Sequence, residues 1–258
     1  MLKITVLGSG TSHGIPMVGC ACEVCKSDDP KDSRMRSSIL VSTDTDHFLI
    51  DTATEFRLQA IRAGITRLDA ICFTHSHADH IHGLDDIRPL TREIPARIYA
   101  SGNVLRDIRK RFDYIFKGKT EGGGVPRVET KKIFPYQPFL IGTTEIMPLK
   151  VMHGRLEILG YRIGNAAYIT DCSYLPERTI DALTGLDVLI LGALRERPHP
   201  THLSFKGAID IIERINPRQS FFTHLSHNHS HSDILKYVRR HSDKKIEPAY
   251  DGLSFTLA

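Results

Sequence analysis

"CFTHSHADHIHG", residues 72–83, gathers His75, His77, Asp79, His80 and His82 within eight residues, directly after an apolar run. Imidazole and carboxylate together suit zinc, iron and other first-row metals. So compact a cluster leaves an ion half-coordinated, and further ligands must come from distant parts of the chain. An α/β architecture builds its site at the C-terminal ends of strands. Three residues stand at such ends: His153 after TEIMPLKVM, Asp171 after AAYIT and His224 after QSFFT. Seven ligands fit two ions: His75, His77 and His153 on one, Asp79, His80 and His224 on the other, with Asp171 bridging.

Around these residues, short β-branched runs fall at 2–8, 37–42, 47–51 and 69–75 in the first half. Others follow at 144–151, 158–164, 166–170, 187–193, 219–224 and 253–258. Helical periodicity marks 53–63, 83–92, 102–116, 176–184, 204–214 and 232–241. In LSFKGAIDIIERI, Leu203, Ala208, Ile211, Ile212 and Ile215 return at helical spacing. Early strands lie close enough for hairpins, while later ones alternate with helices. The expectation is an α/β protein of sheets covered by helices, not a doubly wound fold. KGKTEGGGVP, 117–126, reads as a flexible flap rather than a linker, so residues 1–258 are read as one domain.

The composition, 41% hydrophobic and 25% charged, is ordinary for a globular protein. No apolar run reaches the ~18 residues that suggest a membrane span, and MLKITVLGSGTSHGIP lacks a secretory pattern. A net charge of +4 without a long basic run suits an anionic small molecule better than duplex nucleic acid. Of five cysteines, Cys72 and Cys172 stand in apolar surroundings and read as packing. Cys20, Cys22 and Cys25 form C-x-C-x-x-C. Without an export signal, such spacing favours metal or redox chemistry over disulfides, and cytoplasm is the expected location. A structural tetrahedral zinc wants four ligands. His227, in THLSHNHSH, is the expected fourth, with His229 and His231 read as solvated.

THSHADH carries the H-x-H-x-D-H signature and resembles the metallo-β-lactamase-fold hydrolases, in which His153, Asp171 and His224 fall in the family's order for the remaining ligands. The resemblance runs from the GSGTS turn, 8–12, to the last strand. It implies a four-layer αβ/βα sandwich with a dinuclear site on one edge of the two sheets. His77 departs from diiron oxygen-reducing relatives, which place Glu there, and Asp171 from the many zinc β-lactamases that offer cysteine. The cysteine cluster and T-H-x-S-H resemble a narrower family, the phosphodiesterases of the carbon–phosphorus lyase pathway, which act on 5-phosphoribosyl 1,2-cyclic phosphate. His202, in HPTHLSF, then occupies the place of a non-ligand catalytic histidine that protonates the leaving alkoxide or binds phosphate.

The resemblance implies a small anionic phosphodiester substrate, cleaved by a metal-bridged hydroxide, with His202 and Asp79 as catalytic residues. Its cofactors would be two divalent ions, manganese or zinc with iron also accommodated, and one structural zinc. No membrane partner is expected, and the oligomeric state is open, a homodimer included. Competing readings are a thioesterase or lactonase of the same fold, a tRNA 3′-processing nuclease, and, last, a zinc-dependent binding module. Arg34 and Arg36 are weighed equally as anion contacts and as a solvated strand edge; His13 receives no role. His47, His82, His199 and His241 read as surface or packing residues.

Overall fold

The computed structural model of the chain describes residues 1–117 and 124–257. Its strands, in chain order, begin with β1 (Leu2–Gly8), β2 (Ser38–Ser42), β3 (His47–Ile50), β4 (Ala70–Cys72), β5 (Ala96–Ala100), β6 (Val128–Lys132) and β7 (Phe139–Ile141). They continue with β8 (Thr144–His153), β9 (Leu156–Ile163), β10 (Ala166–Ile169), β11 (Val188–Gly192), β12 (Gln219–Thr223), β13 (Ile246–Pro248) and β14 (Ser254–Leu257). One seven-stranded sheet runs β14-β1-β2-β3-β4-β5-β6, and the other β13-β12-β11-β10-β9-β8-β7. The helices are α1 (Phe56–Ala63), α2 (Ala78–Ile81), α3 (Gly102–Arg111), α4 (Asp113–Phe116), α5 (Glu177–Ala182), α6 (Phe205–Ile215) and α7 (His231–His241), with a 3-10 segment over His82–Thr91.

Three apolar clusters give four layers. Ile4, Val41, Phe48, Tyr161, Ile190 and their neighbours fill the space between the sheets. Phe56, Leu84, Ile98 and Ile108 join α1, the 3-10 segment and α3 to the outer face of the first sheet. Phe205, Ile212, Leu191 and Val238 join α6 and α7 to the second. The fold is therefore the expected αβ/βα sandwich. Four strands are missing from the sequence reading: β5, whose short ARIYA run is interrupted by Arg97, β7 and β13, three residues long, and β6, whose VETKK is a polar edge strand. The glycine-rich flap expected at 117–126 falls mainly on 118–123, outside the described residues.

Direction explains where the site forms. β3 to β6 are mutually parallel, as are β10 to β13, so their C-terminal ends share one edge of each sheet. β8 is antiparallel to β9, and β9 to β10, which brings the His153 end to that edge too. Hydrogen bonds stitch the two sheets there. The Tyr161 hydroxyl donates to the Phe73 carbonyl at 2.7 Å, and the Leu225 N–H donates to Ser9 at 2.9 Å. Within the first sheet, Gly8 is required by the close approach of the segment leading into β2, since a Cβ there would lie 2.0 Å from the Arg36 carbonyl oxygen.

Candidate metal centre

Three residues of the site share one backbone device. Asp51, Asp171 and His224 have φ of 63°, 50° and 57°, a left-handed conformation uncommon outside glycine. Each lies within two residues of a strand end, where this turn redirects the chain as it leaves the sheet. Such strained positions concentrate at functional sites.

The seven expected ligands fall together. His75, His77, His153 and Asp171 form one group and His80, Asp171 and His224 another, the ligand atoms of each within 4.8 Å of one another. Asp171 belongs to both, the bridging place expected of it. Asp79 is not in the second group by that distance, but its Oδ2 lies 3.2 Å from His80 Nε2. Most of the set is buried; His77 is exposed and opens the first group to solvent.

Hydrogen bonds set the tautomers. Thr74 Oγ1 donates to Asp51 Oδ2 at 2.8 Å, so it accepts from His75 Nδ1 at 2.9 Å and leaves His75 Nε2 with its lone pair. His153 Nδ1 donates to the Thr201 carbonyl at 2.8 Å. His80 Nδ1 donates to Asp51 at 2.7 Å. Ligand imidazoles are commonly oriented this way, through the nitrogen that faces away from the metal.

Several features match a pair of divalent cations. Buried His80 Nε2 makes no hydrogen bond among the described residues, although Asp79 and Asp171 oxygens lie 3.2 and 3.3 Å away. His75 Nε2 and His77 Nδ1 face each other at 2.9 Å, a separation that calls for a shared proton or cation. Burial opposes charge on His80, yet Asp171, Asp79 and Asp51 overcome it and raise its pKa. Burial likewise works against ionised Asp171, but His224 and His80 pull its pKa well down. The pocket thus holds Asp79 and Asp171 as anions and demands positive charge. His75 differs: burial and the neighbouring His80 hold it neutral, as a ligand must be.

Cys20, Cys22 and Cys25 converge on His227, with Sγ to Nδ1 distances of 3.3, 3.4 and 3.7 Å. An ion ~2.3 Å from sulfur and ~2.0–2.1 Å from nitrogen in tetrahedral geometry separates such a pair by roughly 3.5 Å. The Cys25 N–H, followed by His227, draws the Cys22 thiol down to about 6, toward the thiolate a metal needs. Burial pushes Cys25 up to about 11.

His202 lies outside both ligand groups, its ring 4.7 Å from that of His153 and 4.9 Å from that of His224, stacked on the latter. Burial, then His224, pushes its pKa down to about 3. His199, read as a surface or packing residue, is its neighbour, half-buried with rings 5.0 Å apart. His47, His82 and His241 match the expectation: His82 and His241 are exposed, and His47 binds the Asp46 carbonyl. His13 is exposed. Cys72 and Cys172 are buried in the apolar clusters.

Two expectations change. Arg34 is fully buried, donating to Asp32 and to the Ser226 and His229 carbonyls, so it clamps loops instead of lying at a solvated edge. Arg36 binds Glu55 at 2.5 Å and the Ser12 carbonyl. His231 is buried, not solvated, because the Asp32 carboxylate ties its N–H down at the start of α7. His229 is half-buried against Phe205. The sequence reading passed over Asp51, Thr74 and Thr201. Asp51 had a usable signal, as the acidic end of HFLID at a strand terminus.

A family model for the β-lactamase superfamily domain matches residues 46–225. A crystal structure described as a new diphosphatase from the PhnP family is 40% identical, with a TM-score of 0.90, covering 100% of this chain and 98% of that one. An octanoyltransferase of Porphyromonas gingivalis is 41% identical over 255 residues, 98% of this chain but 51% of the relative. The chain thus spans about half the length of that protein. Ribonuclease Z of Borreliella burgdorferi is 25% identical over 294 residues, 87% of this chain and 92% of the relative. Sequence, sheet order and the two-group ligand set agree, and the chain belongs to the β-lactamase superfamily, with the metallo-β-lactamase fold.

Proposed function

We propose that the chain is a dinuclear metal-dependent phosphodiesterase acting on a small cyclic phosphodiester, of which 5-phosphoribosyl 1,2-cyclic phosphate is the representative. The carrying observation is His202, a non-ligand imidazole wedged between ligands of both groups. Phosphodiester cleavage expels an alkoxide that needs a proton, and a positioned acid is worth roughly 10²–10⁴-fold. The likeness to a diphosphatase, a protein that also acts at phosphorus, supports the same reading.

A pair of divalent ions, when bound, neutralises phosphate charge and acidifies water enough to attack at neutral pH. His75, His77, His153 and Asp171 would hold one ion, and His80, His224, Asp79 and Asp171 the other. Manganese, zinc and iron all suit this mixed donor set. Asp51 keeps His80 Nε2 aimed inward. His202, neutral in the free protein, gains proton affinity when an anionic phosphate arrives beside it. Its ring then carries a proton to the leaving oxygen. The Cys20, Cys22, Cys25 and His227 set takes a structural zinc, and thiols kept for a metal suit a reducing compartment such as cytoplasm.

Two other substrates have specific support. The ribonuclease Z likeness covers most of both chains, which favours an RNA diester. The octanoyltransferase name attaches acyl chemistry to a protein half matched by this chain. The deciding experiment assays metal-defined protein on cyclic and linear small diesters, a tRNA precursor, and a thioester. Turnover of small diesters at least tenfold above the others is expected; preference for the thioester or the RNA would replace the proposal.

A further inference from the structure

His77 is the least supported histidine of the ligand set. The rings of His75, His80 and His153 each bond a group outside that set: Thr74, Asp51 and the Thr201 carbonyl. Thr11 Oγ1 likewise lies 3.2 Å from His224 Nε2. Such partners fix how an imidazole faces its ion. His77 is exposed, and among the described residues its ring has one partner at hydrogen-bond distance, His75, itself a ligand. Its aim must therefore come through the backbone. The loop that carries it runs from the end of β4 to the start of α2. There neither Ser76 nor His77 donates its N–H to another main-chain group among the described residues.

Ser76, between His75 and His77, is held from α3 instead. Its hydroxyl donates to Asp107 Oδ2 at 2.6 Å, and its carbonyl accepts from the Arg111 guanidinium. Asp107 and Arg111 stand one helical turn apart, so both side chains leave α3 on the same side. The helix beneath them is firmly seated. Val104, Leu105 and Ile108 are buried in the apolar cluster on the outer face of the first sheet. At its start, the Ser101 side chain accepts from the Val104 N–H. Two bonds from one helix, to the side chain and to the carbonyl of a single residue, restrain both its position and its rotation. The carbonyl that Arg111 grips belongs to the peptide joining Ser76 to His77.

We infer that Asp107 and Arg111 are positioning residues for the metal centre, holding His77 in line with His75 and His153 through Ser76. The inference rests on the dinuclear part of the proposed function and is independent of the substrate. Its consequence is selective. Cutting the clamp frees a ligand of the first group, whereas His80 and His224 in the second keep their own partners.

The test equilibrates zinc-loaded protein with chelator-buffered free zinc and counts the retained ions by elemental analysis. In Asp107→Ala and Ser76→Ala, one ion of the catalytic pair should be lost at roughly tenfold higher free zinc than in wild type. The other ion and the cysteine zinc should stay. Arg111 is exposed, so Arg111→Ala probes the same clamp with little disturbance of the fold, and it should show the same selective loss. Asp107→Asn keeps an acceptor oxygen for the Ser76 hydroxyl and should retain zinc as wild type does. Adding Asp107→Ala to His77→Ala should weaken retention no further, because the ligand through which it acts is already gone. Wild-type retention in both Asp107→Ala and Arg111→Ala overturns the inference. So does a loss shared equally by the pair and the cysteine zinc, or one that adds in full to His77→Ala, since Asp107 would then support the fold and not His77. A wild type that holds no pair of ions beside the cysteine zinc overturns the dinuclear reading, and the inference with it.

Discussion

His202 and Asp51 show how differently two side chains can serve one centre. His202 touches ligand rings without belonging to a ligand group. His202→Ala should therefore retain both catalytic metals, measured by elemental analysis. Turnover of a diester with a poor alkoxide leaving group should drop roughly 10²-fold or more, and a nitrophenolate ester much less, since it departs without a proton. Equal losses would mean that the ring binds phosphate instead. Asp51 never needs to meet a metal. It accepts from Thr74 N–H, Thr74 Oγ1 and His80 Nδ1 on its two carboxylate oxygens. Asp51→Asn has a single acceptor oxygen and cannot serve all three. Metal affinity should weaken about 10–100-fold, and a titration giving wild-type affinity would remove Asp51 from this role.

At the scale of elements, the cysteine cluster ties the N-terminal loop to the segment after β12. Arg34 reinforces that tie through the Ser226 and His229 carbonyls. His227 lies three residues from His224, so loosening this staple reaches the metal centre through the backbone. Cys22→Ser should bind its zinc weakly and lose stability, because structural zinc contributes folding free energy directly. A loss of about 2–3 kcal/mol would lower Tm by roughly 4–12 °C for a chain of this size. Prolonged chelation of wild type should reproduce the shift. Full zinc content with an unchanged Tm in the mutant would contradict the site as described.

For the whole molecule, the two ends of the chain meet at Asp251, whose side chain is 2% exposed. It accepts from Ser9 N–H, Ser9 Oγ and Met35 N–H, joining the start of β14 to the turns that follow β1 and precede β2. Burial outweighs these bonds and raises its pKa to about 6. A carboxyl with a raised folded pKa binds more protons folded than unfolded. Its contribution to stability is therefore complete below the unfolded value near 3.8 and is lost as pH rises through about 6. The window is worth on the order of 3 kcal/mol. Urea unfolding of Asp251→Asn should show a flatter fall in stability between those pH values, by up to one proton's slope. A slope identical to wild type would show that Asp251 titrates normally.

Much of this was legible in the chain itself. Alternating and β-branched runs gave the strands that carry ligands, because a strand buried on both faces must be apolar along its length. The H-x-H-x-D-H spacing is local, and a strand end followed by a short helix brings its members together whatever surrounds them. His153, Asp171 and His224 could be proposed from strand ends because parallel strands deliver their termini to one edge. Tertiary structure decided the rest. Only the course of the loop between β11 and α6 across the end of the second sheet sets His202 between His153 and His224, and only burial separates the clamp Arg34 from a solvated arginine. The role of Asp51 depends on a left-handed turn, on Thr74 arriving from the end of β4 and on His80 arriving from α2. Local spacing records which side chains are chemically able to act, whereas partners, burial and charge balance arise from contacts between residues far apart in the chain.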